Sequence, residues 1–364
     1  MKRNITIKDI AREAGVSTAV VSVALSNGRS NTRMSEQTRE RIRAIARENN
    51  YHSNIIARGF QFRKSYLIGL FFSNQSWYIQ SRILDELRKI CYAHQYDIIV
   101  YSTDSLEMEK HSLEVARSRN LDAILTVPFA SEEGNNLEIY RQFAASGVPV
   151  IQIFYRISPE FPYIGRDYFA LGEKGIRLLA ERGHRRIGLQ IYDNYLDTCL
   201  GHNSFVFYRG CMEEARKASV NLTVYPVNFS RPDNPYPGEE CAEKIFELPV
   251  KQRPTAILSS SNTLVFKAYE RFREFGLSIP RDISLVGCAD DFELNRTLLS
   301  KLSFYAVPFR EIAAAAAGKC LALSDASPMN EILFDSPLSG EFTIRDISSA
   351  ARNQKVPMEG KNRK

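Results

Sequence analysis

The stretch TAVVSVAL, from Thr18 to Leu25, combines methyl and hydroxyl groups in a pattern that suits contact recognition better than catalysis. If it forms a helix capped by Ser17, then Val21 and Ala24 face a core. The opposite face carries small alkyl and hydroxyl side chains: Thr18, Ala19, Ser22 and Val23. Exposed methyl groups make no favourable contacts with water, so we predict that this face binds a partner.

Residue types that usually catalyse reactions or bind metals are scattered. The six cysteines form no CxxC pair and the five histidines show no ligand spacing, so we expect reduced, mostly buried thiols and no metal site. The sequence has no glycine-rich phosphate loop, no GxSxG turn and no nucleophile–base pair. We therefore predict no enzymatic activity, no catalytic residues and no cofactor. His184, within RGHRR, is predicted to be a turn residue.

The size of the chain suits two or three domains, because 364 residues are too many for one hydrophobic core. No apolar run approaches the roughly 18 residues of a membrane span. The first residues, MKRNITIKDI, lack the apolar segment of a signal peptide. We expect no membrane partner and a cytoplasmic location.

Positive charge is concentrated at the amino end. Residues 1–65 hold 13 Lys and Arg against 5 Asp and Glu, whereas the rest of the chain holds 35 against 37. A basic segment attached to a nearly neutral body is the electrostatic pattern of a protein that binds a polyanion. Charge alone leaves open the alternative of a solvated basic face.

Two short helices joined by a glycine turn would position the alkyl face. Thr6 with Asp9 gives a capping-box-like start to the first helix, and Gly15 ends it. Ala11 is small where the two helices must cross, and Val21 fills the wedge between them. The spacing of Ala11, Gly15 and Val21 is the packing requirement of a helix-turn-helix.

A third helix is predicted for EQTRERIRAIARENN, after a Ser35 cap, with its isoleucines inward and its arginines outward. Asn54 can cap one further short helix that ends at about Gln61. That last helix has no core of its own, so it needs a partner surface.

These segments resemble a known family. The stretches TIKDIAREAGVSTAVVSVALSN, SEQTRERIRAIARENNY and SNIIARGF are similar to the head and hinge of the lactose-repressor (LacI-type) family of bacterial transcription regulators. The resemblance covers residues 5–62 and continues more weakly to about residue 347. It implies that the second helix lies in the major groove of DNA, where thymine offers a methyl group for alkyl contacts.

Within that resemblance, positions 18, 19 and 23 match the family's base-reading positions, which often hold an arginine or a long polar residue. We predict apolar contacts to thymine methyl groups here, and the predicted base-contact residues are Thr18, Ala19, Ser22 and Val23. The alternative for Val23 is packing against the third helix. Phosphate contacts are expected from adjacent helix N-termini and from hydroxyl and amide side chains: Thr6, Ser17, Asn27 and Ser35, with Ser22 as a further candidate.

The family's hinge helix folds in the minor groove when two copies meet on DNA, and it inserts a leucine between base pairs. Phe60 has that position here, and a phenyl ring can also act as a wedge in a kinked step. Arg58 would line the narrow groove. The predicted hinge contacts are Asn54, Ala57, Arg58 and Phe60.

From Tyr66 onward, apolar runs alternate with helical stretches, which predicts parallel sheets covered by helices. The run RIGLQIY at 186–192 echoes LIGLFF at 67–72, so we predict two similar α/β lobes with a cleft at the strand carboxyl ends. The segments GHRRIG, RPTAIL and EFGLSIPRDISLVGC resemble the family's effector domain, which is similar to periplasmic sugar-binding proteins. That resemblance implies three chain crossings between the lobes.

The pocket positions depart from the family. Tyr155 replaces an aspartate, Phe207 a sugar-binding arginine, and Ser261–Asn262 an Asn-Asp pair. The full set of pocket candidates is Trp77, Tyr78, Tyr155, Arg166, Asp167, Phe207, Ser261, Asn262, Ala289 and Asp290, with Asn203 as a further polar candidate. The loss of polar ligands predicts a sugar-like or aromatic effector that is less polar than a free sugar, or a loss of ligand control.

The predicted fold class is α/β, with a three-helix helix-turn-helix head and a hinge helix before a two-lobed, periplasmic-binding-protein-like body. The predicted domains are a DNA-binding head at 1–50, a hinge and linker at 51–65, an effector-binding and dimerisation body at 66–347, and a disordered tail at 348–364. The N-lobe would comprise about 66–166 and 306–335, and the C-lobe about 167–305 and 336–347.

We accordingly predict a sequence-specific DNA-binding transcriptional regulator, with repression favoured, that responds to a small-molecule effector between its lobes. It would bind a near-palindromic double-stranded operator as a homodimer, in the bacterial cytoplasm at the nucleoid. Two alternatives remain at this point. One is a ligand-blind architectural DNA-binding dimer, and the other is a sugar-binding protein of transport type.

Overall fold

The computed structural model describes residues 5–25, 34–49, 51, 64–72, 77–131, 133–197, 202–228, 238–288, 302–321, 331–340 and 343–348. The chain divides into two compact units, Met1–Tyr66 and Leu67–Lys364. We call the first unit the head and the second unit the body, and each is described by itself.

The head contains three described helices: α1 Ile7–Ala14, α2 Thr18–Leu25 and α3 Glu36–Glu48. Serine caps begin α2 and α3. The Ser17 hydroxyl accepts the backbone N–H of Val20 at 3.3 Å, and the Ser35 hydroxyl accepts that of Thr38 at 3.1 Å. Gly15 ends α1 with a φ of 64°, a conformation that glycine adopts more easily than other residues.

A small core closes between these helices, and its buried members are Ile10, Ala11, Ala14, Val21, Ala24 and Ile42. Two arginines of α3 turn back toward the other helices. The Arg41 guanidinium donates to the carbonyl oxygen of Ala14 at 2.7 Å, and Arg43 Nε donates to that of Ala24 at 3.3 Å. Arg41 remains exposed, as predicted for the α3 arginines, whereas Arg43 is half-buried; both reach carbonyl groups at the ends of α1 and α2.

The body has eight described α-helices: α4 Trp77–Ala93, α5 Leu106–Arg117, α6 Leu137–Ala145, α7 Tyr168–Glu181, α8 His202–Lys217, α9 Glu239–Glu247, α10 Asn262–Glu274 and α11 Phe309–Leu321. Its described strands are β1 Leu67–Phe72, β2 Asp97–Ser102, β3 Ala123–Thr126, β4 Ala130–Ser131, β5 Gly134–Asn135, β6 Val150–Ile153, β7 Tyr163–Arg166, β8 Arg186–Tyr192, β9 Asn221–Val227, β10 Ala256–Ser259, β11 Ser284–Cys288, β12 Ser303–Tyr305, β13 Glu331–Phe334 and β14 Leu338–Ser339.

Two large sheets organise these elements. The N-lobe sheet has the order β13-β7-β6-β3-β1-β2 with parallel pairing throughout, and the C-lobe sheet has the order β14-β12-β11-β10-β8-β9 with only β14 antiparallel. The repeated runs LIGLFF and RIGLQIY are β1 and β8, which occupy equivalent places in the two sheets. The predicted two-lobed α/β fold class is confirmed.

The chain passes between the lobes at three places: from β7 to α7, from β12 to α11 and from β13 to β14. We call these the first, second and third crossovers. The backbone N–H of Asp167 donates to the carbonyl oxygen of Phe334 at 2.9 Å, and that of Ala306 donates to Pro337 at 2.8 Å. The three segments therefore run side by side.

Helices α7 and α8 of the C-lobe approach each other closely. A methyl group on Gly172 would lie 2.3 Å from the carbonyl oxygen of Phe207, and one on Gly210 would lie 2.1 Å from a carbonyl oxygen of α7. Both positions thus require glycine. Arg177 joins the same helices, because its guanidinium donates to both carboxylate oxygens of Glu214 at 2.9 and 2.8 Å.

His184 is buried in the short connection between α7 and β8, directly after the turn at 182–183. Its ring nitrogens lie 2.8 Å from the Thr255 hydroxyl and 3.1 Å from the carbonyl oxygen of Arg345. Burial lowers the pKa of His184 to about 4. The imidazole is therefore neutral at neutral pH, where it joins three segments of the C-lobe.

His184 should make folding stability depend on pH. In the unfolded chain its pKa is about 6.5, so between about pH 6.5 and about pH 4 the unfolded chain binds a proton that the folded chain does not. The free energy of unfolding must fall as the pH falls through that window. In His184→Gln, we expect the free energy of unfolding to fall by on the order of 2 kcal/mol less across this window than in the parent protein. Urea unfolding at several pH values measures the difference.

The matched control is His111→Gln, which makes the same substitution at an exposed histidine on α5 and so shows the effect of losing an imidazole outside the core. A profile for His184→Gln that falls as steeply as that of the parent protein would show that His184 is not the titrating group.

Candidate nucleic-acid interface and interlobe cleft

The outer face of α2 carries the residues predicted to contact bases. Thr18 and Ala19 are exposed, and Ser22 and Val23 are half-buried, whereas Val21 on the opposite side is fully buried. The helix thus presents three methyl-bearing positions and two hydroxyl groups within its first two turns. This surface can make van der Waals contacts and single hydrogen bonds, but it lacks the forked donors that read guanine.

The sequence left two roles open for Val23: contact with a base, or packing against the third helix. Among the described head residues, Val20 and Leu25 pack against the buried core, and Val23 is half-buried. Its contact with a base remains a prediction.

The hydroxyl groups predicted to contact phosphate differ in their availability. Ser17 and Ser35 are exposed and use an oxygen lone pair to cap α2 and α3. Thr6 differs, because its hydroxyl and its backbone N–H both donate to the Asp9 carboxylate, at 2.7 and 2.9 Å. With its hydroxyl proton engaged and a carboxylate beside it, Thr6 is a poorer partner for phosphate than Ser17.

Several predicted site residues lie outside the described residues: Asn27 of the head, Asn54, Ala57, Arg58 and Phe60 of the hinge, and Ala289 and Asp290 of the pocket. The tail beyond Ser348 also lies outside them. Helix α4 begins at Trp77, but the side chains of Trp77 and Tyr78 are not among those described.

At the carboxyl end of β10 in the C-lobe, the polar side-chain atoms of two neighbouring residues are buried without hydrogen-bond partners. Asn262 is 3% exposed, and neither its Nδ2 nor its Oδ1 has a partner; the Ser260 hydroxyl is in the same state. Ser261 caps α10 by accepting the N–H of Thr263 at 3.2 Å, which places Asn262 in the first turn. A methyl group on Gly287 would lie 2.3 Å from Asn262 Oδ1, so the glycine makes room for the amide.

Gln190 supports this edge of the C-lobe sheet, and sequence reasoning missed it. It is fully buried in β8, where its Nε2 donates to the carbonyl oxygen of Gly238 at 2.9 Å and its Oε1 accepts the Ser259 hydroxyl at 3.1 Å. Its functional groups are therefore used within the protein. A single glutamine inside the apolar run RIGLQIY gave no signal of a polar network.

The two lobes touch where β6 ends. Asn203, in the first turn of α8, donates through Nδ2 to the carbonyl oxygen of Phe154 at 2.7 Å, and Arg156 Nη2 lies 3.1 Å from His202 Nε2. Tyr155 lies between Phe154 and Arg156 in the sequence and is 43% exposed. The structure thus brings Asn203 to the N-lobe, where its amide is engaged, and leaves the Tyr155 ring accessible.

Three other pocket candidates have structural contacts. Phe207 is 2% exposed and belongs to the hydrophobic core of the C-lobe, so its ring offers a ligand almost no surface. Asp167 caps α7 by accepting the N–H of Ala170 at 2.9 Å. Arg166 is buried, and its guanidinium donates to Ser336 and Tyr305. These contacts hold the crossovers and lobes in place.

Among the described residues, no group of His, Cys, Asp or Glu is arranged to hold a metal ion. The five described cysteines are buried, and burial raises the pKa of Cys91 to about 11. No helix in the described part of the chain is long and apolar enough to span a membrane.

Two family models match the chain. The model of "Bacterial regulatory proteins, lacI family" matches residues 6–54, and the model of a "Periplasmic binding protein-like domain" matches residues 176–338. The ribose operon repressor of Haemophilus influenzae is 27% identical over 309 residues, which is 84% of this chain and 88% of the relative. The head of the chain therefore matches the lacI family, its body matches a periplasmic binding protein-like domain, and relatives along its length are named as repressors. The predicted resemblance to lacI-type DNA-binding regulators of transcription is confirmed.

Another relative is similar in sequence along most of the chain. The HTH-type transcriptional repressor PurR of Proteus mirabilis is 28% identical over 288 residues, covering 78% of this chain and 80% of the relative. The family is made up of transcriptional regulators.

Solved structures confirm the fold. The lac repressor dimer bound to operator and the anti-inducer ONPF superposes with a TM-score of 0.70 at 20% identity, over 94% of this chain and 100% of that one. A LacI-family regulator from Enterococcus faecium with bound ribose gives a TM-score of 0.62 at 19% identity, over 77% and 99% of the two chains.

Asn262 should lower the stability of the ligand-free protein. A buried amide without partners is destabilising by about 1–3 kcal/mol, so Asn262→Leu, which has a similar shape, should be at least as stable as the parent in thermal unfolding. Asn203→Leu is the control. It should be less stable than the parent, because it removes the bond to Phe154. A clear loss of stability in Asn262→Leu would mean that its amide is satisfied in the protein.

Proposed function

We propose that this chain represses transcription as a homodimer on a near-palindromic operator, and that a small molecule between its lobes controls its affinity for DNA. The observation that carries the DNA part is the outward face of α2, where Thr18 and Ala19 are exposed. Relatives named as transcriptional repressors, and a lac repressor dimer on its operator with the same fold, support the assignment.

In this proposal, residues 1–50 bind DNA, 51–65 form the hinge, 66–347 bind the effector and dimerise, and 348–364 form a disordered tail. A DNA-binding regulator of a bacterial family meets its operator at the nucleoid, so we place the protein in the cytoplasm. Residues 1–65 also carry the basic charge that phosphate contacts require.

Helix α2, the proposed recognition helix, reads DNA mainly through methyl groups. Thr18, Ala19 and Val23 have short side chains, so they cannot reach the O6 and N7 atoms of guanine with two donors, as arginine does. They can pack against the C5-methyl group of thymine. The operator half-site should therefore contain thymines at the positions that face α2.

The effector would bind at the carboxyl ends of the strands, between the lobes. Asn262 offers a buried donor and acceptor, and the accessible Tyr155 ring offers an aromatic face. These groups favour a neutral ligand that is sugar-like or aromatic. A ligand-blind dimer is the second candidate, and the burial of Phe207 at an expected ligand position favours it. Thermal unfolding against sugars, nucleosides and nucleobases separates the two, because only a bound ligand raises the melting temperature.

Selection of bound duplexes from a random pool tests the DNA part of the proposal. We expect a symmetric, thymine-containing site and an affinity that falls steeply as salt rises. A pool that shows no enrichment at moderate salt would refute sequence-specific binding. An asymmetric site would refute the symmetric dimer.

The alkyl contact of Val23 can be measured on the selected operator. Replacing a contacted thymine by uracil removes only the methyl group, and the parent protein should lose about 0.8 kcal/mol of binding free energy, a loss of roughly fourfold in affinity. The variant Val23→Ala should bind thymine and uracil operators equally. Fluorescence anisotropy with the two duplexes and two proteins gives the coupling directly.

The matched control is Val20→Ala, which truncates a valine of the same helix that packs against the core. It should lower the stability of the head yet keep the discrimination between thymine and uracil. If Val23→Ala still discriminates as well as the parent does, the methyl contact is not made by Val23.

A further inference from the structure

Arg166 lies where the three crossovers meet. It is the last residue of β7 and so belongs to the first crossover. Its Nε donates to the Ser336 hydroxyl of the third crossover at 2.9 Å, and its Nη2 donates to the carbonyl oxygen of Tyr305, at the start of the second, at 3.3 Å. The side chain is 2% exposed, and its guanidinium carbon lies 5.5 Å from the centre of the Tyr168 ring.

Backbone hydrogen bonds join the crossovers in pairs, but Arg166 contacts all three. The Asp167–Phe334 bond joins the first to the third crossover, and the Ala306–Pro337 bond joins the second to the third. Lys174 of α7 pairs with Asp335, which fixes the third crossover to the C-lobe. The guanidinium thus lies among three crossover segments that backbone hydrogen bonds already hold side by side.

The chemistry of a buried guanidinium makes this contact sensitive to geometry. The group is planar, always charged, and presents its donors in a rigid fork. A buried charge is tolerated only while its donors are matched by acceptors, so a displacement of one crossover that breaks a bond is strongly unfavourable. Arrangements of the crossovers that keep both bonds are therefore favoured over their neighbours.

We propose that Arg166 is a positioning residue that fixes the angle between the lobes by fastening the three crossovers at one buried point. Lobe closure in a two-lobed protein is a rotation in which a few crossover residues change their dihedral angles. The interaction that holds those residues selects one interlobe angle from the possible set. The effect on the lobes stands alone, whereas any consequence for effector-controlled DNA binding rests on the proposed function.

Distances between the lobes test this directly. Spin labels at exposed Glu114 on α5 and exposed Arg216 on α8, introduced as unnatural amino acids, report the interlobe distance by pulsed electron paramagnetic resonance. In Arg166→Met the distance distribution should broaden and shift. Arg166→Lys, which keeps the charge without the fork, and Ser336→Ala, which removes one acceptor, should change it less but in the same direction.

A second readout separates positioning from plain stability. The N–H groups of Asp167 and Ala306 should exchange with deuterium roughly tenfold faster in Arg166→Met, equivalent to about 1.4 kcal/mol, while that of Leu189 in the C-lobe sheet stays protected. Arg177→Met is the matched control, because it removes the ion pair with the buried Glu214. That pair joins α7 to α8 away from the crossovers. This variant should lower stability without changing the interlobe distance.

The inference is overturned if Arg166→Met keeps the parental distance distribution, or if all slow amides speed up together. Should Arg166→Met fail to fold, Arg166→Lys and Ser336→Ala decide by the same two criteria. DNA binding is scored separately. A parent protein that selects no operator refutes the proposed function, and the lobe measurements on the same protein still decide the role of Arg166.

Discussion

The three adjacent crossovers constrain everything else in the body. Helix α11 and strand β13 complete the N-lobe, yet they follow the C-lobe strands in sequence, so neither lobe is made from one continuous segment. The lobes can move only by rotation about segments that are bonded to one another. A ligand between the lobes therefore acts on the same few residues that hold the crossovers together, which include Arg166 and Ser336.

The polar groups at the carboxyl ends of the C-lobe strands fall into two sets. Gln190 and Ser259 bond to each other and to the backbone, and they give the edge of the sheet its shape. The Asn262 amide and the Ser260 hydroxyl are buried beside them without hydrogen-bond partners. Because a buried polar group without a partner is destabilising, its presence at a cleft is more readily explained by a ligand than by folding. The satisfied set provides rigidity, and the unsatisfied set provides the polar groups of the proposed effector site.

Local patterns made the head and the fold class predictable. The spacing of Ala11, Gly15 and Val21 needs only neighbouring residues to define a helix-turn-helix, and the repeat of LIGLFF in RIGLQIY announced two similar lobes. The cleft was harder to predict, because the role of each side chain there depends on partners far away in sequence.

Phe207 and Glu109 illustrate this difficulty. Phe207 was predicted to line the pocket, but close packing of α7 on α8 places it in the core. Glu109, on a helix that reads as amphipathic, is fully buried and accepts bonds from Asn136 and Tyr140, and burial raises its pKa.

The small side chains on the outer face of α2 explain why the head needs a rigid frame. A long arginine can adjust its rotamers to reach a base, whereas alanine and valine reach only as far as the helix carries them. Van der Waals attraction weakens within an ångström of the optimal separation, so a methyl contact is useful only if the backbone is placed accurately. Arg43 holds the last turn of α2 and Arg41 holds the end of α1, both from α3. The short side chains of the proposed recognition surface cannot adjust their reach, so helix α3 must hold α2 in an accurate position.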